Sequence, residues 1–146
     1  MKNPKTTSVL VGLGLVLVLN LGYARGRPVV KNYSTNTFIN NTGQAVGGLH
    51  IQYNYLLVAG SFFFWQNPDT FANLQTDGKG GVDLSSGTVP AGSSVQISIN
   101  DPAFRSPPGP PGARDLSVQT WWWTDGTGIL VGKTHNGCTN PDCTSP

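Results

Sequence analysis

The segment SSVQISIN, Ser93 to Asn100, constrains the fold more than any other, because its apolar residues Val95, Ile97 and Ile99 recur at every second position. That period belongs to a strand buried on one face and is foreign to a helix, whose apolar stripe recurs every three or four residues. The pattern returns in Ala45 to Asn54, where Leu49, Ile51 and Tyr53 share one face and His50 and Gln52 the other. Gly (19 residues) and Pro (11) cut the chain into short segments, and none of these carries a helical stripe.

Further strands are expected at Asn36 to Asn40, within Val82 to Val89, and in a hairpin whose arms, Leu116 to Thr124 and Ile129 to Lys133, flank the turn Asp125-Gly126-Thr127-Gly128. Tyr55 to Trp65 is apolar on both faces, with a Gly60-Ser61 break, and reads as a central strand covered on two sides. Gln66 to Gly81 reads as a polar loop, and Ser106 to Arg114 (SPPGPPGAR) as an extended polyproline loop. The stretches FINNTGQAVGGLHIQY and VPAGSSVQI resemble turns and strands of secreted immunoglobulin-like sandwiches, a likeness that carries over no functional residue. The expectation is an all-β chain, an immunoglobulin-like antiparallel sandwich of about seven strands preceded by a signal peptide.

Met1 to Ala24 has the layout of that signal peptide: basic Lys2 and Lys5, an apolar run from Val9 to Gly22, and small residues at Gly22 and Ala24. The run is shorter than the roughly 20 residues that span a bilayer, so no membrane span is expected after cleavage. The remaining chain divides into a lead-in (25–35), a sandwich domain (36–134) and a C-terminal tail (135–146), expected in the periplasm, at the cell surface or in the extracellular matrix. Loss of Lys2 and Lys5 reduces nine basic residues to seven, which balance seven acidic ones, all Asp. A chain of zero formal charge offers nucleic acid no electrostatic footing. Charged residues make up only 11% of the sequence, leaving solubility to amides, hydroxyls and glycine. Sequons occur at Asn32 and Asn40; a glycan on Asn40 would require that side chain to face outward.

Cys138 and Cys143 are the only cysteines, and in an exported chain a close pair reads as a disulfide fastening the tail. A metal site built from His135, Cys138 and Cys143 is the weaker alternative, since it supplies three ligands where a structural zinc takes four. No cofactor is expected.

TWWWT, Thr120 to Thr124, poses the functional question. Strict alternation puts Trp122 with Val118 and Thr120 on the core face, and sets Trp121 and Trp123 about 7 Å apart on the opposite face. Covered by a loop, those two rings would belong to the fold alone, the outcome that the large apolar area of indole favours; exposed, they would form an aromatic surface for a ligand, with Trp65 as a further member. Enzymatic chemistry is not expected: the Asp residues sit in turn sequences, no GxSxG elbow or phosphate-binding glycine loop occurs, and His50 falls on a polar strand face. The leading expectation is a non-enzymatic module acting through protein–protein contacts, self-association included. The alternative is a carbohydrate-binding module using Trp121, Trp123 and Trp65.

Overall fold

Alternation becomes architecture in the computed structural model, which describes residues 29–110, 114–139 and 141–146. The segment read as a signal peptide lies outside these residues, as do positions 111–113 of the polyproline loop. Nine strands are described: β1 (Tyr33–Ile39), β2 (Gly48–Tyr53), β3 (Phe63–Asn67), β4 (Asn73–Thr76), β5 (Gly81–Ser85), β6 (Ser94–Asn100), β7 (Val118–Thr124), β8 (Leu130–Asn136) and β9 (Cys143–Thr144). They form two antiparallel sheets, one ordered β3-β6-β1-β9 and the other β4-β5-β2-β7-β8. Among the described residues no helix is long and apolar enough to cross a membrane.

The core lies between the sheets. From the four-stranded sheet come Phe38, Val95, Ile97 and Ile99; from the five-stranded sheet come Leu49, Ile51, Val82, Leu84, Trp121 and Trp123, all buried. Cross-strand register stacks these residues in rows, Leu84–Leu49–Trp123 and Val82–Ile51–Trp121, so neighbouring side chains on one face bury each other. Trp121 meets Phe38 of the opposite sheet edge-to-face at 5.1 Å, and the Trp123 indole N–H donates to the Ile39 carbonyl at 3.3 Å. These two indoles therefore join the layers. Tyr53 is buried with them; its hydroxyl has no hydrogen-bond partner, and burial drives its pKa far upward, so it stays neutral.

Side chains of the turns hold the connections. Asn40 is fully buried after β1: its Nδ2 donates to the Gln44 and Val89 carbonyls, both at 2.8 Å, and its Oδ1 accepts from Thr42. The nitrogen that would carry a glycan is thus occupied, and the folded chain leaves no room for sugar at this sequon. Between β4 and β5, Asp77 Oδ1 accepts from the Lys79 and Gly81 amides, which hold the carboxyl below its ordinary pKa. Gly80 in the same turn has φ +99°, and a Cβ there would lie 2.5 Å from the Tyr55 carbonyl oxygen, so only glycine fits.

Three departures from simple alternation have visible causes. The stretch read as a loop from Gln66 to Gly81 contains β4, a strand of four residues with one inward apolar side chain, Leu74. The FFFW strand lies at a sheet edge rather than at its centre, with Phe62 and Phe64 packed on the core and Phe63 and Trp65 facing out. The largest change is in β7, where the faces of the tryptophans are exchanged. Tyr53 pairs with Val118 and Gln52 with Thr120, so Gln119 is an extra residue with no partner on β2. This bulge lets Val118 and Trp121, an odd number of residues apart, both point inward.

Candidate functional site: the outer face of the four-stranded sheet

The bulge decides what the tryptophans can do. Trp121 and Trp123 are 0% and 1% exposed, 6.0 Å apart and edge-to-face, with both indole nitrogens donating to backbone carbonyls. The aromatic surface expected from them is withdrawn: Trp121 and Trp123 are core, because no face of either ring reaches solvent. Trp122, expected in the core, stands half-buried on the outside of the five-stranded sheet. It stacks on His50 (centroids 4.0 Å apart), whose Nδ1 lies 2.6 Å from Asp83 Oδ1.

Trp65 belongs to a different surface. It is 55% exposed on β3, with its centroid 6.1 Å from that of Phe63, which is 59% exposed, the rings inclined by only 24°. Pairing with β6 and β1 extends this pair into cross-strand rows, Phe63–Asn100–Tyr33, Trp65–Ser98–Thr35 and Asn67–Gln96–Thr37. Residues directly opposite share a face, so these rows are the outer surface of the sheet. They contain aromatic rings, amides and hydroxyls, and no Lys, Arg, Asp or Glu. Tyr33 is 48% exposed, with the Lys31 ammonium 5.9 Å above its ring.

Two local devices hold β3 in place. Its inward Phe64, with Phe62 just before the strand, anchors it to the core. At its end, the Gln66 side chain clamps the following turn, accepting from the Phe71 amide at 2.9 Å while donating to the Phe71 carbonyl and to Asp69. The structure sets Trp65 beside Phe63, its partner by alternation, and on the same sheet face as Tyr33, which the sequence had not marked, and separates it from Trp121 and Trp123. Pro68, directly after the strand, was the available signal of a strand end or edge, and in a two-layer sandwich every strand, central or edge, turns one face outward.

Cys138 and Cys143 form a disulfide. Both sulfurs are consumed, which removes the alternative of a metal held by His135, Cys138 and Cys143; His135 instead stacks on Trp121 with its Nδ1 3.5 Å from Asp142. Among the described residues there is no cluster of three or more His, Cys, Asp or Glu side chains able to hold a metal ion. A cleft of about 420 Å³ opens beside this pair, lined by Ile39, Asn41, Thr42, Lys133 and Asp142 among others, but no unpaired buried polar group points into it. No family model, curated protein or solved structure matches the chain.

Proposed function

We propose that this chain is an exported, non-enzymatic, immunoglobulin-like module that works through protein–protein contacts made by the outer face of the four-stranded sheet. The observation that carries the proposal is the pair Phe63 and Trp65: two large rings, each more than half exposed, side by side on an uncharged sheet face. Exposed aromatic clusters of this kind are costly in water and are enriched at the energetic centres of interfaces. The immunoglobulin likeness is supported by β1 pairing β6 in one sheet while β2 pairs β7, and β7 pairs β8, in the other, as strands B, E, C, F and G do in that fold. The strand β3 crosses to the opposite sheet and pairs with the E-like β6, as strand D does, whereas β4 and β5, which return to the sheet of the C-like strand, and the C-terminal β9 beside the B-like strand depart from that order. A binding rather than catalytic role is supported by the occupation of the acids. Asp77 and Asp125 accept hydrogen bonds within their own turns, which lower their pKa values and suit a cap better than a general acid.

Capture of interacting proteins by the immobilised chain tests this reading. A partner retained by wild type, lost with Trp65→Ala and kept with Trp122→Ala is the expected result; equal retention by all three sinks it. One observation favours a second reading, carbohydrate binding: Asn100, Ser98, Gln96 and Thr35 set amides and hydroxyls beside rings on which sugar C–H faces could stack. A glycan array comparing wild type with Trp65→Ala separates the two, since a blank array eliminates sugar as the ligand.

A further inference from the structure

The four sheet edges are not protected alike. The β8 edge is broken by a bulge: between the pairs Trp121–His135 and Trp123–Val131 the strand carries Gly132, Lys133 and Thr134 against Trp122 alone, and Lys133 projects into solvent. The β4 edge is only four residues long and polar on its exposed side. The β1 edge is covered by β9, where the Ile39 amide donates to the Asp142 carbonyl at 2.8 Å and Ser145 Oγ to Asn36 Oδ1 at 2.6 Å. Bulges, lysine, brevity and covering strands are the devices that keep edges from pairing with other chains.

Among the described residues the β3 edge, five residues long and followed by Pro68, carries no bulge, no charged side chain and no covering strand. The Asp101 amide donates to Asn32 O and the Asn40 amide to Ser93 O, which fixes the phase of the β1–β6 ladder. Carried across β6, that phase directs the backbone groups of Phe63, Trp65 and Asn67 toward β6, and those of Phe64 and Gln66 outward. Among the described residues no backbone partner meets these outward groups. The open edge therefore coincides with the exposed aromatic pair.

We infer that two copies of this chain associate by antiparallel pairing of their β3 strands, joining two four-stranded sheets into one of eight. The inference rests on the protein-contact reading above and names the partner. An antiparallel strand pair has a two-fold axis, so β3 can serve as its own complement. With Phe64 opposite its counterpart, the two Phe64 residues exchange a pair of backbone hydrogen bonds, each Gln66 amide falls opposite the partner's Phe62 carbonyl, and each Phe63 faces the partner's Trp65. No charge stands in β3 or in the rows beside it, so like meets like at this seam without repulsion; the Lys31 ammonium lies over Tyr33, two strands away. The seam is one strand long, well below the roughly 1,200 Å² expected of tight complexes, so association is reversible and concentration-dependent.

Sedimentation of the chain from Arg25 onward, which holds every described strand, tests the inference between about 10 μM and about 1 mM. The expected result is a rise toward twice the monomer mass, abolished by Trp65→Lys, which sets two ammonium groups at the seam, and unaffected by Gln75→Lys on the other sheet. Amide exchange of wild type gives the second readout: the outward amides of Phe64 and Gln66 should slow at least about tenfold at high concentration. Persistence of the dimer in Trp65→Lys, or unchanged exchange of those two amides in a dimer, overturns edge pairing. If Trp65→Lys does not fold, Phe63→Lys and the wild-type exchange decide. A wild type that stays monomeric also overturns self-pairing, while the broader contact reading stands or falls with the capture experiment.

Discussion

Two histidines in this molecule lie flat on tryptophan rings with nearly identical geometry, yet they belong to different worlds. His50 stacks on Trp122 and His135 on Trp121, both with centroids 4.0 Å apart and rings within 16° of parallel, and each imidazole faces an aspartate, Asp83 or Asp142. The first group lies on the outside of the five-stranded sheet, over a half-buried indole and beside an Asp83 that is half exposed. The second sits at the joint where β7, β8 and the disulfide loop meet, over an indole that is wholly buried. Similar side-chain chemistry therefore has different energetic weight, and the face of β7 on which the indole stands sets the difference.

The strongest way to break that comparison is to remove each indole. Trp121→Ala empties a site between Phe38, Trp123 and Ile51 and orphans the Gly137 carbonyl, so a loss of about 3–5 kcal/mol is expected in denaturant unfolding. Trp122→Ala surrenders a stacked contact on a hydrated face and should cost about 1 kcal/mol. Comparable losses would mean that the outer row supports the fold as much as the core does.

This contrast also shows where reading the sequence succeeds and where it fails. In β2 and β6 a single apolar set alternates with polar residues, so Leu49, Ile51, Tyr53, Val95, Ile97 and Ile99 could only point inward, and they do. TWWWT offers no such choice, because either phase buries tryptophan. The phase must then be carried from Val118, and Gln119 interrupts it; a one-residue slip reverses every face beyond it. FFFW has the same ambiguity, resolved only by the sheet edge that β3 occupies. β4 escaped notice because NLQT holds one apolar residue and takes its strand form from pairing with β5. The site was legible through Trp65 and, by alternation, Phe63 on the same strand; Tyr33 comes from β1, distant in sequence and aligned only by β6.

A smaller effect sharpens the role of the tail. The disulfide closes a loop across a sequence separation of 5, and the chain-entropy estimate for so short a loop is about 2 kcal/mol. The double substitution Cys138→Ser, Cys143→Ser should lower stability by that order and loosen the region around His135 while leaving the His50 row unchanged. Exchange of the Ile39 amide, whose acceptor is the Asp142 carbonyl, reports on the first; the tumbling and shifts of His50 report on the second. Equal disturbance of both histidines would deny that the tail acts locally.

Acidification should distinguish the buried stack next. Desolvation pushes the His135 pKa below its ordinary 6.5, with Lys133 assisting and Asp142 opposing. The unfolded chain therefore takes up this proton first as pH falls, so the contribution is complete above 6.5 and is lost on descending through that value toward the folded-state pKa. Melting curves between about pH 7.5 and about pH 5.5 should show a decline that His135→Gln flattens and Asp142→Asn steepens, since the latter removes the carboxylate that favours the imidazolium. An unchanged slope in His135→Gln would place the acid sensitivity elsewhere.

The smallest expected change is on the outer row. Asp83→Asn keeps the shape of the side chain and an acceptor oxygen for His50, and removes only a charge whose side chain is 51% exposed. Water and salt already screen that charge, so unfolding free energy should shift by no more than about 0.5 kcal/mol. The informative measurement is a double-mutant cycle with Trp122→Ala. If Asp83 orients His50 for stacking, the two losses will be less than additive even though each is small; strict additivity would mean that the short His50–Asp83 contact and the stack merely coexist. A loss of about 2 kcal/mol from Asp83→Asn alone would move this row out of the solvent-screened class and make the two histidine stacks energetic equals.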